Sequence, residues 1–324
     1  MNKRIFSVFI AIIITIAVFA ILFSQIELSD VFGILAQIKP IYLITGFIFY
    51  SASYVLRAIR LHILLNREIG IKELFSIVCV HSMALNVFPA RSGELSYIYL
   101  LNKRHKRTAG EGAASLITIR IMDSITVSLF FFISIIITHD LPPIVMNAAK
   151  IIAIFLFFII LFILIFIWNC DRVVYLMRSI FIYLKLNEKK SVNYIFNKLD
   201  EMTLTFKKLT HRLFINSMVI SVFIWILLYS VLYTQLEAMG IRVALPPFLL
   251  ASTFFLMTSI IPVQGIGGFG TLEGGWAISF MAAGMTKDVA ISSGIIMHII
   301  SIIYLILLFI IGFTGLREKQ ILDK

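Results

Sequence analysis

Charge is scarce in this chain. Only 14% of its 324 residues are Asp, Glu, Lys or Arg, against ~25% in soluble domains, which need that surface to face water. An ordinary soluble globule is thereby excluded. Proline is scarce too, at seven residues, so neither a collagen-like nor a proline-rich disordered chain fits. Two cysteines, Cys79 and Cys170, cannot form a disulfide framework. No Walker A run is present, so no ATP-cradling loop is encoded. An HExxH helix and a nucleophile elbow are also missing. His62, His81, His105, His139 and His211 lack metal-ligand spacing. No metal and no cofactor is expected.

What fills the chain is hydrocarbon. Sixty per cent is hydrophobic, 29 residues are Phe, and mean hydropathy is +1.01. A helix of ~20 apolar residues crosses a bilayer core of ~30 Å. Six stretches reach that length: 6–24, 41–65, 112–137, 144–168, 214–236 and 288–313. Lipid cannot hydrogen-bond an open strand, so each is expected to be a helix. The first reads as an uncleaved span, because no small-residue cleavage site follows it.

Basic residues orient the spans. With the N-terminus inside, 22 of the 28 Lys and Arg fall in cytoplasmic segments. Arg57 and Arg60 are counted there, as are nine basic residues between Arg172 and Arg212. Outer segments hold four: Lys39, Lys150, Arg242 and Lys287. The positive-inside rule then puts both termini in the cytoplasm of a plasma or inner-membrane protein. The net charge of +11 is therefore topology and attraction to anionic lipid, and no solvated basic domain for nucleic acid exists. Residues 171–212 form the only sizeable polar segment. Their apolar positions suggest a basic amphipathic helix on the inner leaflet; a solvated linker and a docking site for a partner are the other readings.

Two apolar stretches have both ends on one side. Residues 73–102 are broken by Asn86 to Glu94, which contains Pro89 and Gly93. Residues 246–286 are broken by Pro262 to Glu273, rich in glycine. Pro and Gly stop helices. Each stretch is read as a re-entrant hairpin, the first entering from inside and the second from outside. Two ordinary pairs of kinked spans are the bland alternative. Residues 41–137 and 214–313 then form an inverted repeat of span, hairpin, span. Interrupted segments at matching places in inverted halves mark a transporter site. The expected fold is an all-α polytopic membrane protein with six full spans, two hairpins and both termini inside.

Charges within the apolar sequence are the candidate site. Each costs at least ~2.5–3.5 kcal/mol at mid-helix unless paired or wet. Arg120 and Asp123 share one helical face and are expected to pair. Arg91, Ser92, Gly93 and Glu94 sit where the second half-helix of the first hairpin begins, an electropositive place suited to phosphate. Glu94 also suits a helix-capping role. Gln264, Gly267 and Gly268 offer backbone N–H groups in the other break. Gly265, Gly267 and Gly270 match a dinucleotide fingerprint in spacing, but no strand precedes them. Glu273 is a protonatable carboxylate at membrane depth. His298 aligns with Arg120 when the repeats are superposed.

These residues also carry a resemblance. Asn86 to Leu95 is similar to the N-x-x-PAR-x-GEL signature of the lysylphosphatidylglycerol synthase transmembrane, or flippase-like, family. Ser115 to Asp123 resembles its S-x-x-x-x-R-x-x-D span, Pro262 to Glu273 its second proline–glycine–glutamate motif, and Gly284 to Ala290 its G…A step. Tyr97 and His298 depart from the family pattern, which often has basic residues there. The resemblance covers residues 1 to about 315. It implies a lipid translocase that moves an anionic or phosphate-bearing lipid between leaflets, with protons as a candidate coupling ion. No synthase domain accompanies it, so lipid aminoacylation itself is not implied, and the translocase reading carries the expectation that the chain is not an enzyme. A carrier of a small soluble anion and an intramembrane transferase acting on a lipid-linked sugar are the alternatives. Homo-oligomerisation is left open.

Overall fold

The computed structural model describes residues 28–88, 92–138, 143–183, 190–207, 211–258 and 266–322. No strand occurs among them. That is what hydrocarbon demands, because only a helix satisfies its own backbone. In chain order the helices are α1 (Leu28–Ala36), α2 (Pro40–Leu64), α3 (Ile71–Val87), α4 (Glu94–His105), α5 (Ala109–Ile137) and α6 (Pro143–Trp168). They continue as α7 (Cys170–Tyr183), α8 (Lys190–Lys207), α9 (His211–Ala238), α10 (Leu245–Thr258), α11 (Thr271–Ala282) and α12 (Lys287–Leu322).

Five helices are long and apolar enough to cross a membrane: α2, α5, α6, α9 and α12. They coincide with five of the six expected spans. The sixth, 6–24, lies outside the described residues. On α6, Ile144, Ile151 and Phe155 are 79%, 68% and 66% exposed, an apolar outer face that water would penalise and lipid welcomes.

Local chemistry sets the boundaries. Pro40 opens α2, where its missing N–H has no partner to lose. Thr108 and Glu111 form a reciprocal capping box at the start of α5. Helix α3 ends at Val87, and Phe88 is extended with ψ 128°, as the residue before a proline must be. Each expected hairpin is a pair of short helices, α3 with α4 and α10 with α11, packed on each other. Gly93 starts the return: the Ala84 carbonyl lies so close that no side chain fits there.

Two apolar clusters make the core. One joins α9, α10, α11 and the first half of α12. The other joins α2, α3, α4 and the second half of α12. The long α12 ties both together, and α2 packs most extensively on α9. The charge count places Arg57 and Arg60 on the cytoplasmic side; both lie within α2, inside the expected span 41–65, and Arg60 is 2% exposed. Residues 171–212 contain α7 and α8, and α8 packs on α5.

The α8 contact is electrostatic. Glu201 accepts hydrogen bonds from Lys198 Nζ at 2.6 Å and from the Gly110 N–H at 3.2 Å. The Lys198 bond holds the Glu201 carboxyl below the usual range, outweighing the opposing effect of burial, with Thr108 and Gly110 adding to it. A depressed carboxylate stabilises the fold above its unfolded value, about 4.3, and that contribution is lost as pH falls through the lower folded value. Hydrogen exchange in α8 should therefore stay slow from neutral pH to about 5 and quicken below about 4. Glu201→Gln should remove that acid response; if the variant retains it, Glu201 is not its source.

Candidate functional site

Two glutamate contacts are placed alike in the two halves of the chain. Glu94 opens α4, and its Oε1 accepts from Arg120 Nη2 of α5 at 2.9 Å. Glu273 lies in the first turn of α11, and its Oε1 meets His298 Nδ1 of α12 at 2.7 Å. In each case a glutamate at the start of the second short helix is held by a nitrogen of the next long helix. Glu273 is the more deeply placed, at 1% exposure against 2% for His298.

His298 reaches further. Its Nε2 lies 3.1 Å from the Gly267 carbonyl, which can only accept, so Nε2 donates. Glu273 Oε2 accepts from the Gly270 N–H at 2.7 Å. The Nδ1–Oε1 contact then needs one further proton, on either atom. The pair thus holds a proton at depth, and losing it would break the link to the carboxylate or to the hairpin tip. Gly267, Gly268 and Gly270 have φ of 68°, 77° and 82°, a region where a side chain is strained. Those turns let the tip fold back to the ring. Gly267 also faces the Asn86 carbonyl at the end of α3, so the two breaks meet.

A third cluster lies between α2, α5 and α9. Arg60 Nη1 donates to Asp123 Oδ1 at 2.6 Å and to Ser221 Oγ at 2.6 Å, and Nη2 donates to Asp123 Oδ2 at 3.3 Å. Trp225 Nε1 donates to Asp123 Oδ1 at 3.1 Å. The fork of the guanidinium matches the carboxylate, which is why an arginine tolerates this burial. In the second half of the chain, Gln235 Nε2 of α9 donates to Ser301 Oγ of α12 at 3.2 Å.

The model of the family described as lysylphosphatidylglycerol synthase TM region matches residues 8–310. The chain belongs to that family. It is also 28% identical over 121 residues to "Glycosyltransferase AglD" of Haloferax volcanii. That match covers 36% of this chain and 19% of the relative, so it spans about a fifth of the archaeal protein.

Within this family member the expected site residues are distributed as follows. Glu94 with Arg120, and Glu273 with Gly267, Gly268 and His298, come together. Ser92 and Gly93 flank Glu94 at the turn. Arg91 and Gln264 lie outside the described residues. The expected Arg120–Asp123 pair is not formed. The two residues share a face of α5, yet each finds a better partner on another helix, Glu94 for Arg120 and Arg60 for Asp123. Sequence reasoning missed Arg60, Ser221 and Trp225. The available signal was Arg60 itself: a cation four residues inside the end of an apolar span needs an acid opposite. A cavity of about 460 Å³ opens further along the α2–α9 pair, lined by Ile63, Asn66, Arg67, Arg212, Leu213 and Asn216. No cluster of metal-ligating side chains occurs among the described residues.

Proposed function

We propose that this protein is a translocase for an anionic or phosphate-bearing lipid of the plasma or inner membrane, and not an enzyme. In this reading six spans and two re-entrant hairpins form an inverted repeat, 41–137 and 214–313, with both termini inside. The observation that carries it is the meeting of the two breaks, Gly267 against Asn86, beside Glu273 and His298. Helices α3, α4, α10 and α11 have 17, 12, 14 and 12 residues. At 1.5 Å per residue they reach about 26, 18, 21 and 18 Å, short of a ~30 Å core. Entering from opposite faces, their tips would meet near the midplane. The recurrence of Glu94–Arg120 as Glu273–His298 supports the repeat.

The mechanism follows from this placement. The head group is drawn to the guanidinium and N–H groups at the breaks, while acyl tails stay in lipid. Rocking of one repeat against the other exposes the head group to alternate sides. The proton held by Glu273 and His298 is a candidate coupling charge, worth ~2.3 kcal/mol per 100 mV if it crosses the field.

The name of the archaeal relative favours a second reading, a transferase acting on a lipid-linked sugar. Such chemistry wants carboxylates available for proton transfer. Glu94 and Asp123 are each paired to an arginine, which supports transport instead.

The test is reconstitution with fluorescent phosphatidylglycerol and dithionite quenching. Protein-containing vesicles should lose inner-leaflet protection, and Arg120→Ala should slow that loss about tenfold or more, as expected for a charged hydrogen bond. Protein-containing vesicles that quench like empty ones would sink the proposal.

A further inference from the structure

Three arginines of the described residues, Arg57 and Arg60 of α2 and Arg120 of α5, lie near two carboxylates, Asp123 and Glu94. Arg60 is committed to Asp123 and Ser221, and Arg120 to Glu94. Arg57 is not committed. Among the described residues it makes no ion pair and no hydrogen bond. Its guanidinium lies over the Tyr54 ring, 5.1 Å from the centroid. That contact satisfies the face of the group and leaves its N–H donors open. Arg60 Nε and Arg120 Nε are sealed from the surface without a partner; no Arg57 nitrogen is. Arg57 is half-buried.

Its position is on the same helix as Arg60, one turn earlier. Arg57 lies within electrostatic reach of Asp123, of Cys79 and of His81, and Arg120 acts on the same His81. Arg57 and Arg60 are three apart on α2 and share one side of it. The cavity residue Ile63 is six positions further along, about 9 Å at 1.5 Å per residue. The second half of the chain supplies a control. If Gln235–Ser301 mirrors Arg60–Asp123, the counterpart of Arg57 is Leu232, a buried apolar residue. On that mapping the bracing contacts have counterparts in the second half and Arg57 has none.

We propose that Arg57 binds the phosphate of the lipid head group, with Tyr54 as the floor that holds the guanidinium in place. The assignment rests on the translocase reading for its ligand class. A phosphate diester offers two acceptor oxygens to the guanidinium fork. It also supplies the negative charge that a cation at this depth lacks. Arg60 is then a positioning residue, which holds α2 against α5 and α9 and so fixes where Arg57 sits.

The test measures binding separately from transport. Full-length protein is purified in detergent, and retained lipid is counted by native mass spectrometry with phosphatidylglycerol and with diacylglycerol, which lacks phosphate. Arg57→Gln should retain phosphatidylglycerol about tenfold less than wild type. Arg57→Lys should retain an intermediate amount, since it keeps the charge and loses the fork. Diacylglycerol retention should be equal in all three. The unfolding midpoint of Arg57→Gln should match wild type, whereas Arg60→Gln should fall. Equal phosphatidylglycerol retention in wild type and Arg57→Gln would overturn the assignment and leave transport standing. A drop in the midpoint of Arg57→Gln as large as that of Arg60→Gln would overturn it as well, by making Arg57 a brace. Displacement by soluble glycerol phosphate at matched concentration would overturn the lipid source. Absence of transport by wild type, with Arg57-dependent retention intact, would sink only the translocase reading.

Discussion

Replacing Asp123 by alanine is expected to destabilise the protein by about 3–5 kcal/mol, the usual consequence of stripping one partner from a buried ion pair. The substitution leaves Arg60 at 2% exposure with Ser221 as its remaining partner and leaves the Trp225 N–H without its acceptor. Asp123 joins α5 to both α2 and α9, so its loss loosens three helices at once. Unfolding of purified protein in lipid nanodiscs would measure this. The double variant Arg60→Met, Asp123→Leu should recover most of the loss, because a buried pair replaced by apolar side chains of similar volume is often neutral. An Asp123→Ala protein as stable as wild type would show that Arg60 finds water in place of the carboxylate.

Glu273→Ala should weaken the second hairpin by about 2–6 kcal/mol, since two buried polar groups lose their partner at about 1–3 kcal/mol each. Those groups are the Gly270 N–H and Nδ1 of His298. Hydrogen exchange across 266–275 should quicken markedly. Glu273→Gln separates structure from protonation. Its amide oxygen can still accept from Gly270, but the side chain can no longer release a proton. Lipid movement by Glu273→Gln should therefore slow while the hairpin keeps most of its protection. Unchanged exchange in Glu273→Ala would show that the glycine turn holds without its carboxylate.

The family, and with it a membrane-spanning helical fold, was written along the chain. Run length and the absence of charge decide whether a segment enters lipid, and both are local. The breaks at Asn86 to Glu94 and Pro262 to Glu273 were equally legible, because proline and glycine act on their own backbone. The charged residues that would need partners could be picked out for the same reason. Their partners could not. Arg120 and Asp123 share a helical face, and spacing alone joins them to each other. The tertiary structure joins them instead to Glu94, 26 residues away, and to Arg60, 63 residues away.

Only packing could settle that choice. A carboxylate in low dielectric goes to the guanidinium that meets it with both nitrogens and excludes water, and that geometry depends on how α2, α5 and α9 cross. The same holds for Arg57. The sequence presents it as one of 28 basic residues near a membrane boundary. The fold sets it over Tyr54 and gives the nearby Asp123 to Arg60. A side chain's need for a partner is fixed by its chemistry, but which partner it obtains is fixed by distance, and distance exists only once the helices have packed.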